Sequence, residues 1–406
     1  MKDHQPDIKE AEERIREKEK HLNQIKGCMF GGAVGDALGY PVEFMKEDEI
    51  FDTYGPGGIT EYELDPLTHQ ALISDDTQMS LFTANGLLAG DTRGALRGIR
   101  ANPSSYVACS YQDWLRTQEL NYEDGLRFVS SSPEINKSWL SNVKDLYSTR
   151  APGTTCLSAL WRRRDLDTHV TDFIRSPLNN SKGCGGIMRV APLALDYDSV
   201  NIEILDLEGA QIAAITHGNS LGYMPAAVLT HIINRIVYGS KTMTLKEIII
   251  EARNTIEKLF QDDIHLEELT SIIDMAVEFS ENNDTDLNNI YRIGQGWVAE
   301  ETLGIAIYCA LRYQNDFNRG VIAAVNHSGD SDSTGAVTGN ILGALLGYDA
   351  IEEKWISDLE LKDVIEEISI DLCHGCQMSE YSSYQDEKWE RKYIAMCYGK
   401  EQENEA

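Results

Sequence analysis

Two segments of the chain carry a glycine at every fourth position, and this spacing constrains the fold more than any other feature. The two rows are Gly27, Gly31, Gly35 and Gly39, and Gly335, Gly339, Gly343 and Gly347. A spacing of four places each row on one face of a helix. Glycine inside a helix costs about 1 kcal/mol relative to alanine, so the rows need a compensating contact. We expect two central helices that pack closely against neighbouring backbone and present their ends to a shared site.

The remainder of the chain after Gly27 also has a helical pattern. Proline is scarce, at 10 of 406 residues, and no two apolar segments are joined by an Asn-Gly or Asp-Gly turn. Apolar residues recur with a period near 3.6 in several segments: Val200–Thr216, Pro225–Tyr238, Leu245–Phe260, Leu266–Phe279, Val298–Leu311 and Leu359–Leu372. The sequence therefore predicts an all-α fold.

The charge balance narrows the classes of molecule that the protein can bind. The chain has 36 Lys and Arg against 66 Asp and Glu, a formal net charge of −30. Such a surface repels phosphate backbones and anionic lipid, so we expect binding neither to nucleic acid nor to membranes. The N-terminus shows no apolar signal segment, and the 8 cysteines are scattered. These features are typical of a cytoplasmic protein with reduced thiols.

Residues 1–26 differ in composition from the sequence that follows. Charged residues dominate, and the sparse apolar positions Ile8, Ile15, Leu22 and Ile25 recur at roughly heptad spacing. A helix with so thin an apolar stripe is not stable alone. We interpret residues 1–26 as a charged helical arm, either solvated and leaning on the domain or bound to a partner.

Two acidic clusters each precede an apolar helical pattern. Asp and Ser are preferred helix caps, but one cap needs only one side chain, and each cluster offers two carboxylates. Such oxygen ligands suit Mg²⁺ or Mn²⁺. An EF-hand is excluded because its twelfth position would be Ile341 instead of a glutamate. The first cluster is Ser74-Asp75-Asp76-Thr77 and the second is Asp330-Ser331-Asp332-Ser333-Thr334.

A glycine-containing loop and a histidine complete the set of candidates. The loop residues are Ser181, Lys182, Gly183, Cys184, Gly185 and Gly186. Consecutive backbone N–H groups there would suit phosphate oxygens, although an ordinary turn explains the pattern equally well. His217 lies where two helical patterns are interrupted, as a ligand contact or as a packed or capping residue.

Seven segments in this order resemble the ADP-ribosylglycohydrolase family. They are GCMFGGAVGDALGYPVEF at 27–44, SDDTQMSL at 74–81, APGTT at 151–155, KGCGGIMRVAPLAL at 182–195, ITHGNSLGY at 215–223, GQGWVAEETLGIAIYCALRY at 294–313 and HSGDSDSTGAVTGNILGALLG at 327–347. The resemblance spans Gly27 to Tyr348. It implies a compact orthogonal bundle of helices, with residues 27–400 as a single domain. It also implies a centre of two Mg²⁺ or Mn²⁺ ions that removes ADP-ribose from modified side chains.

The resemblance also assigns roles by position. The family's metal ligands fall on Ser74, Asp75 and Asp76 in the first cluster and on Asp330, Asp332 and Ser333 in the second. Glu43 matches a glutamate beside the metals. Asp113 resembles, more loosely, an acid that contacts the ribose of the scissile bond. The loop from Ser181 to Gly186 matches a cradle for the diphosphate. His217 matches a ligand contact, and Trp297 stands where the family places a residue flanking the adenine. The departures are serine for the commoner threonine at position 74, and the N-terminal arm.

Three functional hypotheses follow. The first is a metal-dependent hydrolase that acts on ADP-ribosylated protein and releases ADP-ribose. Arginine-linked substrates are favoured over serine-linked ones because APGTT and GDSDST resemble the arginine-specific branch. The second is an immunity protein that occludes an ADP-ribosylating toxin through residues 1–26. The third is a metal-dependent phosphoesterase, which would release phosphate instead of ADP-ribose.

Overall fold

The chain is all-α in the part that the computed structural model describes, which is residues 8–99, 102–131, 138–166, 170–196, 201–240 and 242–395. Within these ranges there are 18 α-helices and no named strand: α1 (Ile8–Gly39), α2 (Glu47–Tyr54), α3 (Asp75–Arg97), α4 (Pro103–Glu119), α5 (Tyr122–Ser131), α6 (Thr154–Leu166), α7 (Ala191–Asp196), α8 (Ile202–Ala214), α9 (Ser220–Tyr238), α10 (Leu245–Leu259), α11 (Leu266–Ser280), α12 (Asp286–Ile293), α13 (Ala299–Arg312), α14 (Phe317–Val325), α15 (Ser331–Leu346), α16 (Glu353–Ser357), α17 (Lys362–His374) and α18 (Glu387–Tyr393). Short 3₁₀ turns lie at Tyr40–Val42, Trp139–Asn142, Lys144–Tyr147, Cys184–Gly186 and Tyr348–Ala350. The predicted fold class is confirmed.

Helices α1 and α15 form the centre of the molecule and pack against each other in antiparallel fashion. Gly31 faces Gly339, and a Cβ on either residue would overlap the carbonyl oxygen of the other. The same holds one turn away for Gly35 and Gly335. The glycine rows therefore pack against one another, so that two backbones touch. Gly347 differs, because it ends α15 with φ of 85°.

The other helices surround this pair. Helices α13, α14 and α17 pack on it directly, while α3 packs against α4 and α7. Each of the apolar-periodic segments falls on a helix, namely α8, α9, α10, α11, α13 and α17. Val200, the predicted start of the first segment, lies outside the described residues. Among the helices of the described ranges, none is long and apolar enough to cross a membrane.

The N-terminal arm continues into the central helix without a break, since α1 runs from Ile8 to Gly39. Residues 1–7 and the side chains of residues 8–15 lie outside the described part, as does the predicted domain end at residue 400. Residues 16–20 are exposed, but Gln24 and Ile25 are buried. The Gln24 amide donates to the carbonyl oxygens of Ile236 and Ala344, at 3.2 and 3.1 Å. The end of the arm at position 26 therefore lies within one continuous helix. The turn of this helix just before position 26 is already packed in the core.

Candidate active site

The first acidic cluster stands at the start of α3. Ser74 caps this helix, because its hydroxyl accepts the N–H of Asp76 at 3.1 Å. The cap leaves the two neighbouring carboxylates available for other contacts. Asp75 Oδ2 accepts the N–H of Gly153 at 3.4 Å. Asp76 Oδ2 is buried, and no donor in the described part of the chain reaches it.

The second cluster stands at the start of α15. Asp330 caps this helix by accepting the N–H of Ser333 at 3.3 Å. Asp332 accepts the same N–H at 2.8 Å. Both carboxylates are only 3% exposed. Asp330 supplies the cap of α15, so the Asp332 carboxylate is not needed for capping. The first cluster likewise has carboxylates that its cap does not use, as the sequence pattern indicated.

Asp36 on α1 joins the two clusters and was absent from the predicted ligands. Its carboxylate is fully buried and accepts the N–H groups of Ser74, at 3.0 Å, and Thr77, at 3.1 Å. Burial, and then the charge of Asp332, raise the pKa of Asp36 to about 7. The central helix thus holds the start of α3 against the start of α15. The signal in the sequence was the aspartate between Gly35 and Gly39.

The charges of both clusters act on Glu43. Burial raises the pKa of this side chain to about 10, with further contributions led by Asp332 and Asp330. Its Oε2 atom is buried without a hydrogen-bond donor among the described residues. Burial and the charge of Asp332 likewise raise the pKa values of Asp75 and Asp76 well above their usual range. The fold has brought into one site the carboxylates of Asp76 and Asp330, which are 254 positions apart in the sequence.

These residues have the chemistry that a divalent cation requires. Buried like charges repel one another, and a bound cation removes that cost. The unpartnered oxygens of Glu43 and Asp76 are hard donors suited to Mg²⁺ or Mn²⁺. In the described ranges no three His, Cys, Asp or Glu side chains are already grouped as a metal site. The residues present fit the ions by donor type, and binding requires the carboxylates to converge.

The glycine loop forms a short 3₁₀ turn and is held from one side by the segment before α13. The N–H of Cys184 donates to the Trp297 carbonyl at 3.3 Å, and the N–H of Ala299 donates to the Lys182 carbonyl at 2.9 Å. A Cβ on Gly185 would lie 2.8 Å from Cys156 Sγ. Gly185 is therefore required by the packing beneath the loop, whatever the loop binds.

Lys182 of the predicted cradle and His217, the predicted ligand contact, both contact other groups of the protein. The Lys182 ammonium forms ion pairs with Glu300 and, at 3.3 Å, with Glu268. His217 is 2% exposed, and burial, followed by the charge of Arg189, lowers its pKa to about 3. A Cβ on Gly183 would lie 3.4 Å from the His217 ring. The imidazole is thus neutral and packs directly beneath the loop.

An aromatic pair lies beside the loop. Trp297 is 39% exposed, and its ring stacks with that of Phe44 at a centroid separation of 5.9 Å. Sequence reasoning identified Trp297 but not Phe44. The only signal for Phe44 was its position directly after Glu43.

Asp113 is placed differently from the other acids. It is buried on α4, where one oxygen accepts the N–H of Ser138 at 2.6 Å and the other forms an ion pair with Arg116. These contacts give it a structural part in fixing Ser138, which caps the 3₁₀ turn at Trp139–Asn142. A contact with the ribose stays a prediction.

Comparisons with known proteins agree with this fold. A sequence profile described as ADP-ribosylglycohydrolase matches residues 17–382. The ADP-ribosyl-[dinitrogen reductase] glycohydrolase of Rhodospirillum rubrum is 24% identical over 341 residues, covering 83% of this chain and 90% of that protein. ADP-ribosylhydrolase ARH3 of Bos taurus is 27% identical over 371 residues, covering 84% and 90%.

Two further similarities extend the comparison. ADP-ribosylarginine hydrolase Tri1 of Serratia proteamaculans is 23% identical over 356 residues, covering 86% of this chain and 79% of that protein. A solved structure titled ADP-ribosylglycohydrolase-related protein complex shares the fold, with a TM-score of 0.60, 23% identity, and coverage of 87% and 98%. The molecule is thus an all-α hydrolase with a buried carboxylate site. The chain belongs to the ADP-ribosylglycohydrolase family, whose members cleave the glycosidic bond of ADP-ribose.

Proposed function

We propose that this chain is a divalent-metal-dependent hydrolase that removes ADP-ribose from modified protein side chains, with arginine as the preferred linkage. The observation that carries the proposal is the neighbourhood of buried, mutually repelling carboxylates at the starts of α3 and α15 and at Asp36 of α1, with unpartnered oxygens on Asp76 and on Glu43 beside them. A fold does not maintain so many buried acids at one point without a cation or protons to neutralise them.

The proposed metal ligands are six residues of the two clusters, Ser74, Asp75, Asp76, Asp330, Asp332 and Ser333. When bound, the ions would neutralise these acids and act as Lewis acids toward the ribose oxygens. The neighbouring acids contribute to the raised pKa of Glu43, so neutralising them would favour its carboxylate form. In that form Glu43, with one oxygen unpartnered, would accept a proton from the attacking water or stabilise positive charge on the ribose. Asp36 would hold the start of α3 against the central helix α1 through its bonds to Ser74 and Thr77.

The ligand would lie between the acids and the glycine loop. The loop residues would offer backbone N–H groups to the diphosphate. His217, being neutral and packed under Gly183, would support the shape of the loop. Trp297 would flank the adenine. We assign Lys182 to anchoring the loop through its ion pair with Glu300.

The arginine preference rests on the segment at residues 151–155. Its Gly153 N–H donates to Asp75, so this segment lies at the acids where the scissile bond would be positioned. The Serratia relative is named an ADP-ribosylarginine hydrolase, which supports the same preference. No comparable feature of the described residues favours serine linkage.

The test is hydrolysis of two defined substrates, one protein ADP-ribosylated on arginine and one on serine. Each is incubated with EDTA-treated enzyme, with and without added Mg²⁺ or Mn²⁺, and the released product is identified by mass. We expect intact ADP-ribose from the arginine substrate, only with added metal, and none from Asp76→Asn. Release of phosphate would favour the phosphoesterase, and full activity in EDTA would refute the metal dependence.

A further inference from the structure

A cavity of about 390 Å³ lies apart from the acidic clusters, lined by residues of α2, α12 and α14. Phe51 of α2 and Pro56 of the turn that follows contribute apolar walls, and Leu287 and Ile322 add further apolar surface. None of the residues predicted to bind metal, phosphate or adenine is among its lining residues. The volume and the mainly apolar lining are typical of pockets that bind small organic molecules.

Arg319 brings a positive charge to this cavity. Its guanidinium lies over the ring of Tyr313, 4.7 Å from the ring centroid, and both residues line the cavity. Arg319 stands in the first turn of α14, where Asp316 caps the helix by accepting the Arg319 N–H at 3.1 Å. The helix dipole disfavours a cation in a first turn. The position of Arg319 in its own helix therefore does not explain why a cation is present.

The carboxylate that shares the cavity with Arg319 is already engaged. Asp286 also lines the cavity, but its two oxygens accept the hydroxyls of Tyr308 and Tyr313, each at 2.6 Å. The Arg312 Nε atom lies 3.9 Å from one of these oxygens. Among the described residues no carboxylate forms an ion pair with Arg319, although the chain has 66 Asp and Glu against 36 Lys and Arg. The cavity thus presents a guanidinium without a counterion from this part of the chain.

The cavity also contacts both segments that lead to the acidic site. Helix α2, which supplies Phe51, follows Glu43 in the chain. Asn326 lines the cavity directly after α14 and lies four positions before Asp330. Its side chain joins the two segments, because it accepts the Ile59 N–H at 2.7 Å and donates to the Ile59 carbonyl at 2.9 Å. A molecule in the cavity would therefore touch the segment after Glu43 and the segment before Asp330.

We propose that this cavity is a second ligand site, separate from the acidic clusters, for a small organic anion with a flat apolar body. The anionic group would pair with Arg319, whose planar guanidinium matches carboxylate and phosphate oxygens. The body would lie against Phe51, Leu287 and Ile322. The inference does not depend on the proposed function, because it uses none of the residues assigned to hydrolysis.

The test uses four probes of matched chemistry. Benzoate and phenylphosphonate share a ring and differ in the anionic group, benzyl alcohol keeps the ring without the charge, and inorganic phosphate keeps the charge without the ring. Binding is measured by titration with saturation-transfer NMR. We expect the two aromatic anions to bind about 10-fold or more tightly than benzyl alcohol, as a charged hydrogen bond requires, and more tightly than inorganic phosphate. The tighter of the two shows whether the site prefers a carboxylate or a phosphate group.

Variants show where the probes bind. Arg319→Met removes the charge from an exposed position and should weaken benzoate binding about 10-fold or more. Arg292 also lies over a ring, that of Phe279 at 4.0 Å, but does not line the cavity, so Arg292→Met is the matched control. Ala323→Leu, which places a larger side chain in the cavity, should weaken binding as well.

Three results would overturn the proposal. The first is the absence of binding by both aromatic anions, and the second is an affinity that Arg319→Met leaves unchanged. The third is displacement of benzoate by ADP-ribose, which would place the probe at the acidic site instead. Hydrolysis by the unaltered protein is measured separately, so a failure of this proposal is distinguishable from a failure of the proposed function.

Discussion

The thiol of Cys184 donates a hydrogen bond of 2.8 Å to Asp330 Oδ2. One residue belongs to the glycine loop and the other caps α15, so this bond joins the proposed diphosphate cradle to the second acidic cluster. Groups that hydrogen-bond to metal ligands orient them and tune the affinity for the ion. We infer that Cys184 positions Asp330.

Cys184→Ala should therefore weaken metal binding about 10-fold or more, since that is the usual cost of losing an outer partner of a ligand. Cys184→Ser retains a donor and should remain close to the unaltered protein. Cys109, an exposed thiol, provides the control substitution to alanine. Isothermal titration with Mn²⁺ makes the comparison, and equal affinities in all three variants would show that the bond has no such role.

The glycine pairs at the centre predict a large effect from one methyl group. Gly31→Ala should lower the free energy of unfolding by about 3 kcal/mol, the upper end of the usual overpacking cost, because the Cβ would meet backbone that cannot move aside. Gly57→Ala is the matched control, as its Cβ would meet only Thr60, at 3.6 Å. Urea unfolding followed by circular dichroism measures both. A small loss in Gly31→Ala would mean that α1 and α15 are not in contact there.

Much of the fold follows from local patterns. The spacing of Gly27 to Gly39 and of Gly335 to Gly347 indicated close helix packing, and a period of 3.6 located helices such as α10 and α11. The sequence also indicated where two helices begin, since the Ser74 and Asp330 side chains cap the starts of α3 and α15. These features depend on residues within a few positions of one another, which is what a sequence displays directly.

The features of the site that the sequence did not reveal depend on pairs of residues that are far apart in the sequence. Lys182 was expected in the diphosphate cradle, and the structure directs its ammonium to Glu300, 118 positions away. Asp36 could be recognised as acidic but not as the acceptor for the start of α3. The exposure of Phe44 could not be predicted from its position after Glu43, because exposure is decided by the whole fold. Nothing in the composition of these segments encodes such relationships.

The burial of Gln24 and Ile25 changes what truncation should do. Every site residue predicted from the sequence lies after residue 26, so the sequence alone gives no reason for truncation at Gly27 to affect activity. Complete burial of an isoleucine contributes about 1.5–3 kcal/mol, so we now expect removal of residues 1–26 to lower the thermal midpoint and the yield of active protein. Removal of residues 1–20 should leave stability and hydrolysis nearly unchanged. Equal stability of the two truncations would contradict the packing of this turn.

The shorter truncation also tests the toxin-occluding arm, which stays a prediction. If residues 1–20 form the plug, their removal should abolish tight binding to an arginine-specific ADP-ribosylating toxin. Asp76→Asn, which retains the arm, should still bind. Binding that survives the truncation would leave the arm as a solvated extension of α1.

Repulsion among the buried acids predicts opposite effects with and without metal. Asp76→Asn removes a charge that interacts with Asp332 and Asp36. Without metal, the variant should be at least about 1 kcal/mol more stable than the unaltered protein, since uncompensated buried charge is costly. Addition of Mg²⁺ at 100 times its dissociation constant should stabilise the unaltered protein by about 2.7 kcal/mol and the variant by much less. Differential scanning fluorimetry in EDTA and in Mg²⁺ checks both; a variant that is less stable in EDTA would contradict the repulsion.

The central claim is that carboxylates from α3 and α15 hold divalent ions beside Glu43. The most direct measurement is a crystal structure with Mn²⁺ and ADP-ribose, using anomalous scattering to locate the metal. We predict two anomalous peaks between the Asp75–Asp76 pair and the Asp330–Asp332 pair, and none in crystals of Asp76→Asn with Asp330→Asn. Peaks elsewhere, or the absence of peaks in a protein that still hydrolyses its substrate, would contradict the account.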